Sequence, residues 1–267
     1  MEVLRIMGKS TGFLALSLLL LSSAVPAVAS PVFVSGVSLS DGWLDVNKTY
    51  VDDSSLCWAA SSSNLLAYTG WTGGSSLDTN TEIFANFTTH WTNQGGHPLY
   101  GTYWWFTGIN VAAGVSGWAQ LEGTSQAGFY DTATFQSSYF YDSFSGAVTD
   151  SVYNELLQLI DQDFGLALSI EKYVNGVRYG HSITLWGIDT ATGSLYITDS
   201  DDGVTALKSY HYSGLSLTDY FGGGWSLTDV TGLELAVSAV PEPASLLLFG
   251  VAGIVLGLVR RKRTVGS

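Results

Sequence analysis

The sequence predicts an α+β fold, and two observations carry that expectation. Helical signals stand before residue 162, and a period of two takes over after it. Helices first and an antiparallel sheet after is the α+β order, unlike the alternation that builds a parallel sheet. No Pro-rich or charge-rich linker and no fixed-period repeat interrupts residues 30–238, which therefore read as one domain.

The first helix is expected to run from a cap at Asp53, Ser54 or Ser55 to about Tyr68, where Gly70 ends it. Cys57, the only cysteine, falls in its first turn. The Gly- and aromatic-rich stretch from Trp71 to Tyr141, which includes "HPLYGTYWWFTG", shows no clear period. A second helix is expected over Val152 to Asp161, capped by Asp150 or Ser151, with Val152, Leu156, Leu159 and Ile160 on one face. "GLALSIEKY", "HSITLWGID", "SLYITDSD", "ALKSYHY" and "LELAVSA" then read as five strands. The second and third form a hairpin around "DTATG". If Gly187 faces Leu195, His181 falls opposite Asp201 and Ile183 opposite Asp199, so both carboxylates share a face with His181.

Both ends carry export features. Arg5 and Lys9, the apolar run Phe13 to Leu21 and the small residues Ala27-Val28-Ala29 have the layout of a secretory signal over residues 1–29, with a mature start near Ser30. At the other end Val240-Pro241-Glu242-Pro243 precedes the apolar segment Ala244 to Val259 and the bases Arg260, Arg261, Lys262 and Arg263. That segment would reach about 24 Å at ~1.5 Å per residue, and it spans a ~30 Å hydrocarbon core if the flanks snorkel or the bilayer thins. The basic cluster would then be cytoplasmic, with the body outside. Residues 240–263 resemble the PEP-CTERM sorting signal of bacterial exported proteins. The resemblance implies an exosortase-type transpeptidase as partner and cleavage near the Pro-Glu-Pro motif, which would make the anchor transient.

The net charge of −13 excludes one class of partner. Between the two end signals only Lys48, Lys172, Arg178 and Lys208 are basic, and neutralising nucleic-acid phosphates needs a basic face. A single cysteine in an oxidising compartment forms no internal disulfide, so its presence needs another reason.

A cysteine in the first turn of a helix feels the positive end of the macrodipole, which favours thiolate over thiol. His181 can pair with it, and Asp199 or Asp201 can orient His181 from across the hairpin. Cysteine, histidine and carboxylate in this arrangement serve acyl transfer through a thioester. The Cys57 amide and the Lys48 ammonium can supply the oxyanion donors. His90, His97 and His211 read as structural or exposed. No metal or organic cofactor is implied, since "TDSDDG" lacks the further oxygen ligands of an EF-hand loop.

"GWLDVNKTYVDDSSLCWAASSSNLL" with "GHSITLWGIDTATGSLYITDSDD" resembles the immunoglobulin-degrading cysteine endopeptidases of the IdeS/Mac type. The resemblance implies a papain-like fold over residues 30–238 and hydrolysis of a protein or peptide substrate. By that resemblance Cys57, followed by Trp58 and then Ala59-Ala60, is the nucleophile, and Lys48-Thr49 contributes to the oxyanion hole. His181, before Leu185-Trp186-Gly187, is the general base. Asp199 in Thr198 to Asp201 is its orienting partner, with Asp201 in support. The matching segments cover about a quarter of the exported body, and the middle of the chain does not match, so antibody cleavage does not carry over. A Cys-Trp pair also occurs at the nucleophile of transglutaminases, leaving acyl transfer to an amine open. A different class of function is a non-catalytic surface module that binds glycan or matrix, with Tyr103-Trp104-Trp105-Phe106 as its aromatic platform.

Overall fold

The computed structural model describes residues 30–111, 126–145 and 149–236. Its elements in chain order are β1 (Val32–Phe33), α1 (Cys57–Thr69), α2 (Asn80–His90), α3 (Pro98–Thr107), α4 (Thr132–Ser138), β2 (Tyr139–Ser143), α5 (Thr149–Asp161), β3 (Phe164–Val174), β4 (Val177–Asp189), β5 (Ser194–Thr198), β6 (Lys208–Ser213), β7 (Ser216–Leu217) and β8 (Trp225–Glu234). Helices and sheet are thus mixed in the expected order, apart from two short strands, β1 and β2, that come early. The expectations for residues 1–29 and 240–263 lie outside the described residues. Among the described residues no helix is long and apolar enough to cross a membrane.

All strand pairings are antiparallel, in the order β4-β3-β8-β7-β6-β5, and β5 pairs back to β4 to close a barrel. β1 extends β4, and β2 extends β8. The alternation of β3 serves two cores. Leu166, Leu168 and Ile170 fill the barrel with Ile183, Leu185, Val230 and α5, whereas Ala167 points out to the cluster built by α1, α2 and α3.

Helix α1 lies between these layers, buried almost all round. Its polar run Ser61-Ser62-Ser63 is tolerated there because each hydroxyl donates to the carbonyl four residues back, at 3.1, 2.8 and 2.7 Å. The small side chains let the helix approach the barrel closely, and Asn64 Nδ2 donates to Thr184 Oγ1 of β4 at 3.0 Å. Gly70 ends the helix in the left-handed region at φ 80, as expected. Its start differs from expectation. Leu56 is the N-cap and no side chain caps it, because the Asp53 carboxylate is committed to the backbone N–H groups of Thr49 and Tyr50. Cys57 is therefore the first helical residue.

Trp58, 1 % exposed, packs edge-on against Phe87 at 5.4 Å and Trp91 at 6.1 Å. A Cβ at Gly101 of α3 would come within 2.7 Å of its ring, so glycine is required there for the two helices to meet. Trp58→Ala is expected to lower the unfolding free energy by about 3–5 kcal/mol in equilibrium denaturation. The proposed sugar platform is also core: Trp104, Trp105 and Phe106 are fully buried in α3, and Trp105 Nε1 donates to Trp71 O at 2.8 Å.

Four further expectations are corrected. The β4–β5 hairpin keeps the expected register at Thr184–Thr198 and Leu185–Ile197, but a bulge between Leu185 and Gly187 sets Gly187 opposite Tyr196 instead of Leu195. β5 ends at Thr198, so Asp199 and Asp201 stand in the turn beyond it. The last strand is "WSLTDVTGLE", mostly upstream of the expected "LELAVSA". α5 also begins three residues before Val152.

Candidate active site

The loop before α1 is shaped by one buried carboxylate. Asp53 accepts from Thr49 N at 2.7 Å and Tyr50 N at 2.6 Å, a turn so tight that Tyr50 adopts φ 62. Lys48 N donates to Ser200 O at 3.0 Å, and Tyr50 Oη donates to Asp201 O at 2.7 Å. These bonds clamp the loop to the turn after β5. The Lys48 side chain, 1 % exposed, is thereby held along the cleft, where Nζ donates to Ser54 O at 2.6 Å and pairs with Asp201 Oδ1 at 2.5 Å.

His181 Nε2 lies 2.7 Å from Asp199 Oδ1, and its Nδ1 lies 3.7 Å from Asp201 Oδ2. Asp199, 1 % exposed, also accepts from Asp201 N at 2.9 Å and from Tyr220 Oη at 2.5 Å. Burial would raise its pKa, but the hydrogen bond and charge of His181, with the bonds from Tyr220 and Asp201, outweigh burial and hold it below the usual carboxylate range. Tyr220 shows the converse. Burial, then the adjacent Asp199 charge, keep its proton on far above the ordinary phenol range.

The Cys57 thiol and the His181 imidazole line the same cleft, and each acts on the ionisation of the other. With Nε2 committed to Asp199, Nδ1 is the nitrogen that faces the thiol. Burial opposes ionisation of both groups. For Cys57 the hydrogen bond and charge of His181, then Lys48 and the Ser182 backbone, prevail and lower the pKa. For His181 the bonds to Asp199 and Cys57 prevail and raise it. The favoured state is thiolate beside imidazolium. The Cys57 N–H opens the helix and has no intrahelical acceptor, so it remains a donor at the cleft.

All five residues singled out in the sequence, Cys57, His181, Asp199, Asp201 and Lys48, are thus brought together. All but Asp199 line a cleft of about 480 Å³ between the helices and the barrel. Its opposite wall holds His97, Ser169 and Asp229. His97 has the structural role expected of it: Nδ1 accepts from Leu99 N at 3.1 Å to cap α3, and Nε2 lies 2.8 Å from Asp229 Oδ1. His90 and His211 are held by Asn86 O and Asp219 respectively.

The donor atoms of His181, Asp199 and Asp201 lie within 4.8 Å of one another, a spacing that could hold a cation. They are already engaged with Tyr220, Lys48 and each other, so coordination would break those bonds. Asp202 likewise pairs with Lys208 at 2.7 Å.

Tyr220 is the site residue that sequence reasoning missed. It lies in a short turn followed by Gly222, Gly223 and Gly224, and that glycine run was its only local signal. Tyr220→Phe removes one donor from the ionised Asp199. The Asp199 pKa should rise, and the loss of stability on acidification that tracks this carboxylate should set in about one pH unit higher. A pH profile of the variant that overlays the parent's would show that this hydroxyl does not act on the site.

Comparison with known proteins adds two findings. Residues 239–263 match the model of the PEP-CTERM protein-sorting motif. That motif indicates export and C-terminal membrane anchoring in bacteria, with exosortase-mediated sorting. No curated protein matches the chain. Among solved structures, the active wild-type interpain A cysteine protease of Prevotella intermedia is similar at a TM-score of 0.40 and 10% identity, covering 66% of this chain and 81% of that one.

Proposed function

We propose that the chain is an exported, surface-sorted cysteine endopeptidase of the IdeS/Mac kind, with a papain-like catalytic domain over residues 30–238. It hydrolyses peptide bonds of a protein substrate through a thioester. The observation that supports this reading best is that Cys57, His181 and Lys48 line one cleft, with His181 bonded to Asp199 and Asp199 to Tyr220.

In this mechanism the Cys57 thiolate attacks the scissile carbonyl carbon, and the electron pair of the C=O bond moves onto oxygen. The Cys57 N–H and Lys48 meet that oxyanion; two of the three ammonium protons hold Ser54 O and Asp201, which leaves the third free to point at it. As the tetrahedral species collapses, the C–N bond breaks and His181 Nδ1 gives its proton to the departing amine. His181 then takes a proton from water, whose oxygen attacks the thioester and releases the acid and the thiolate. Asp199 holds the imidazole orientation and balances its charge throughout, and Asp201 steadies Lys48.

The test is incubation of the full chain with a proteome-derived peptide library. Newly formed termini together with an acyl group trapped on Cys57 by acid quenching support the reading, and an unchanged library contradicts it. Incorporation of an added primary amine in place of water would make the protein an acyltransferase. The burial of Trp104, Trp105 and Phe106 weighs against a sugar-binding module built on that segment.

A further inference from the structure

The cleft does not end at the reactive pair. Past His181 it continues into a trough of about 370 Å³ lined by Tyr50, Tyr179, Phe221 and Trp225, with His181 and Asp201 at its edge. The trough and the main cleft share His181, whereas Cys57 lines the main cleft alone.

Three of these rings face outward to an unusual degree: Tyr50 and Tyr179 are 50 % exposed and Phe221 51 %. Two of them stand on left-handed backbone, Tyr50 at φ 62 and Phe221 at φ 39. Bulky residues avoid that region unless their surroundings enforce it, and such strain gathers at functional sites. Here Asp53 enforces it at Tyr50. At Phe221 the three following glycines, all at φ 78 to 80, continue a turn that leaves the ring beside Tyr220 at 4.8 Å.

We propose that this trough is the leaving-group subsite, and that it takes a large apolar side chain, aromatic or branched aliphatic, on the amine side of the scissile bond. The inference rests on the peptidase reading. In that reaction the acyl half stays bonded to Cys57 while the amine half receives its proton from His181, so the amine half must lie against His181. The trough is the space that meets His181 without Cys57. Its lining offers no free counter-ion, because Asp201 is paired with Lys48 and the Tyr50 hydroxyl is committed to Asp201 O, and the neighbouring Lys172 ammonium is held over the Trp225 ring at 4.8 Å. Burial of apolar surface is what remains to select an occupant. The main cleft, walled by His97, Ser169 and Asp229, has the opposite character.

The test profiles cleavage by the full chain on a peptide library in which the residue after the cut bond runs through all natural side chains. Wild type, Phe221→Ser and Tyr179→Ser are compared, and iodoacetamide labelling of Cys57 is followed in parallel to report an intact site. The expected result is enrichment of Phe, Tyr, Leu and Met immediately after the cut by about tenfold or more, collapsing toward an even distribution in the variants. The two substitutions sit on different elements, so a folding loss in one leaves the other informative. Cleavage without such a preference, or a preference that survives both substitutions, overturns the subsite and leaves the peptidase reading standing. A requirement for a glycosylated residue at that position overturns the apolar occupant in favour of sugar stacking. No cleavage of any peptide by wild type overturns the peptidase reading and this inference with it.

Discussion

Cys57→Ala is expected to abolish peptide hydrolysis, with kcat/KM lower by roughly 10⁴-fold or more. No other sulfur nucleophile can substitute, because the chain contains one cysteine. Loss of the thiolate also removes one of the two groups that raise the His181 pKa, so the imidazole of the variant should titrate lower than in the parent. NMR titration of the ring protons would read that shift. Hydrolysis that persists in the purified variant would mean that bond cleavage is carried by some other group.

Asp199→Asn should have the next largest effect. Asp199 accepts from His181 Nε2, Tyr220 Oη and Asp201 N. An asparagine offers one oxygen and an NH₂, so at least one buried donor loses its acceptor, at a cost of about 1–3 kcal/mol. Without the carboxylate charge the imidazolium is less favoured, and turnover should fall by about 10²- to 10⁴-fold. Steady-state kinetics with thermal denaturation separates the two effects. A variant with full activity would remove Asp199 from the mechanism.

The pH dependence follows from the same groups. Asp199 has a lowered pKa, so its contribution to stability is present above the unfolded value near ~3.9 and is lost as pH falls through the folded value. His181 has a raised pKa, so its contribution is full below about 6.5 and is lost as pH rises through the folded value. The Cys57–His181 ion pair therefore occupies the window between the lowered thiol pKa and the raised imidazole pKa. Turnover should be bell-shaped across that window, since its acid limb protonates the nucleophile and its alkaline limb removes the proton that the leaving amine needs.

Much of the site was legible because its geometry is local. Gly70 marks where α1 ends, and the cap candidates Asp53, Ser54 and Ser55 put Cys57 in its first turn. Strand alternation with the "DTATG" turn brings His181 to the aspartates. The bulge at Trp186 could not be read, since strand alternation carries no mark of an extra residue; there Trp186 Nε1 donates to Thr198 Oγ1 at 2.8 Å across the hairpin. The cap was misassigned because three adjacent residues, Asp53, Ser54 and Ser55, all suit an N-cap, and only the fold shows that Asp53 serves the preceding turn.

The middle of the chain was opaque for a different reason. α3 buries Trp104, Trp105 and Phe106 together, so no polar face marks its period. One signal there was readable in principle, the capping box Thr79 to Glu82 that opens α2, and later in the chain so was Asn175-Gly176, in left-handed conformation at the β3–β4 turn. Tyr220 could not be found from spacing, because it reaches Asp199 from a short turn after β7 and no strand register relates the two residues.

The most direct test of the central claim is the alkylation rate of Cys57 against pH in the purified chain, measured beside His181→Ala. The account predicts a thiolate that titrates well below the free-cysteine value of about 8.5, and loss of that low-pH reactivity in the variant. Slow alkylation of both proteins with a pKa at or above that value would contradict it and make Cys57 a structural residue.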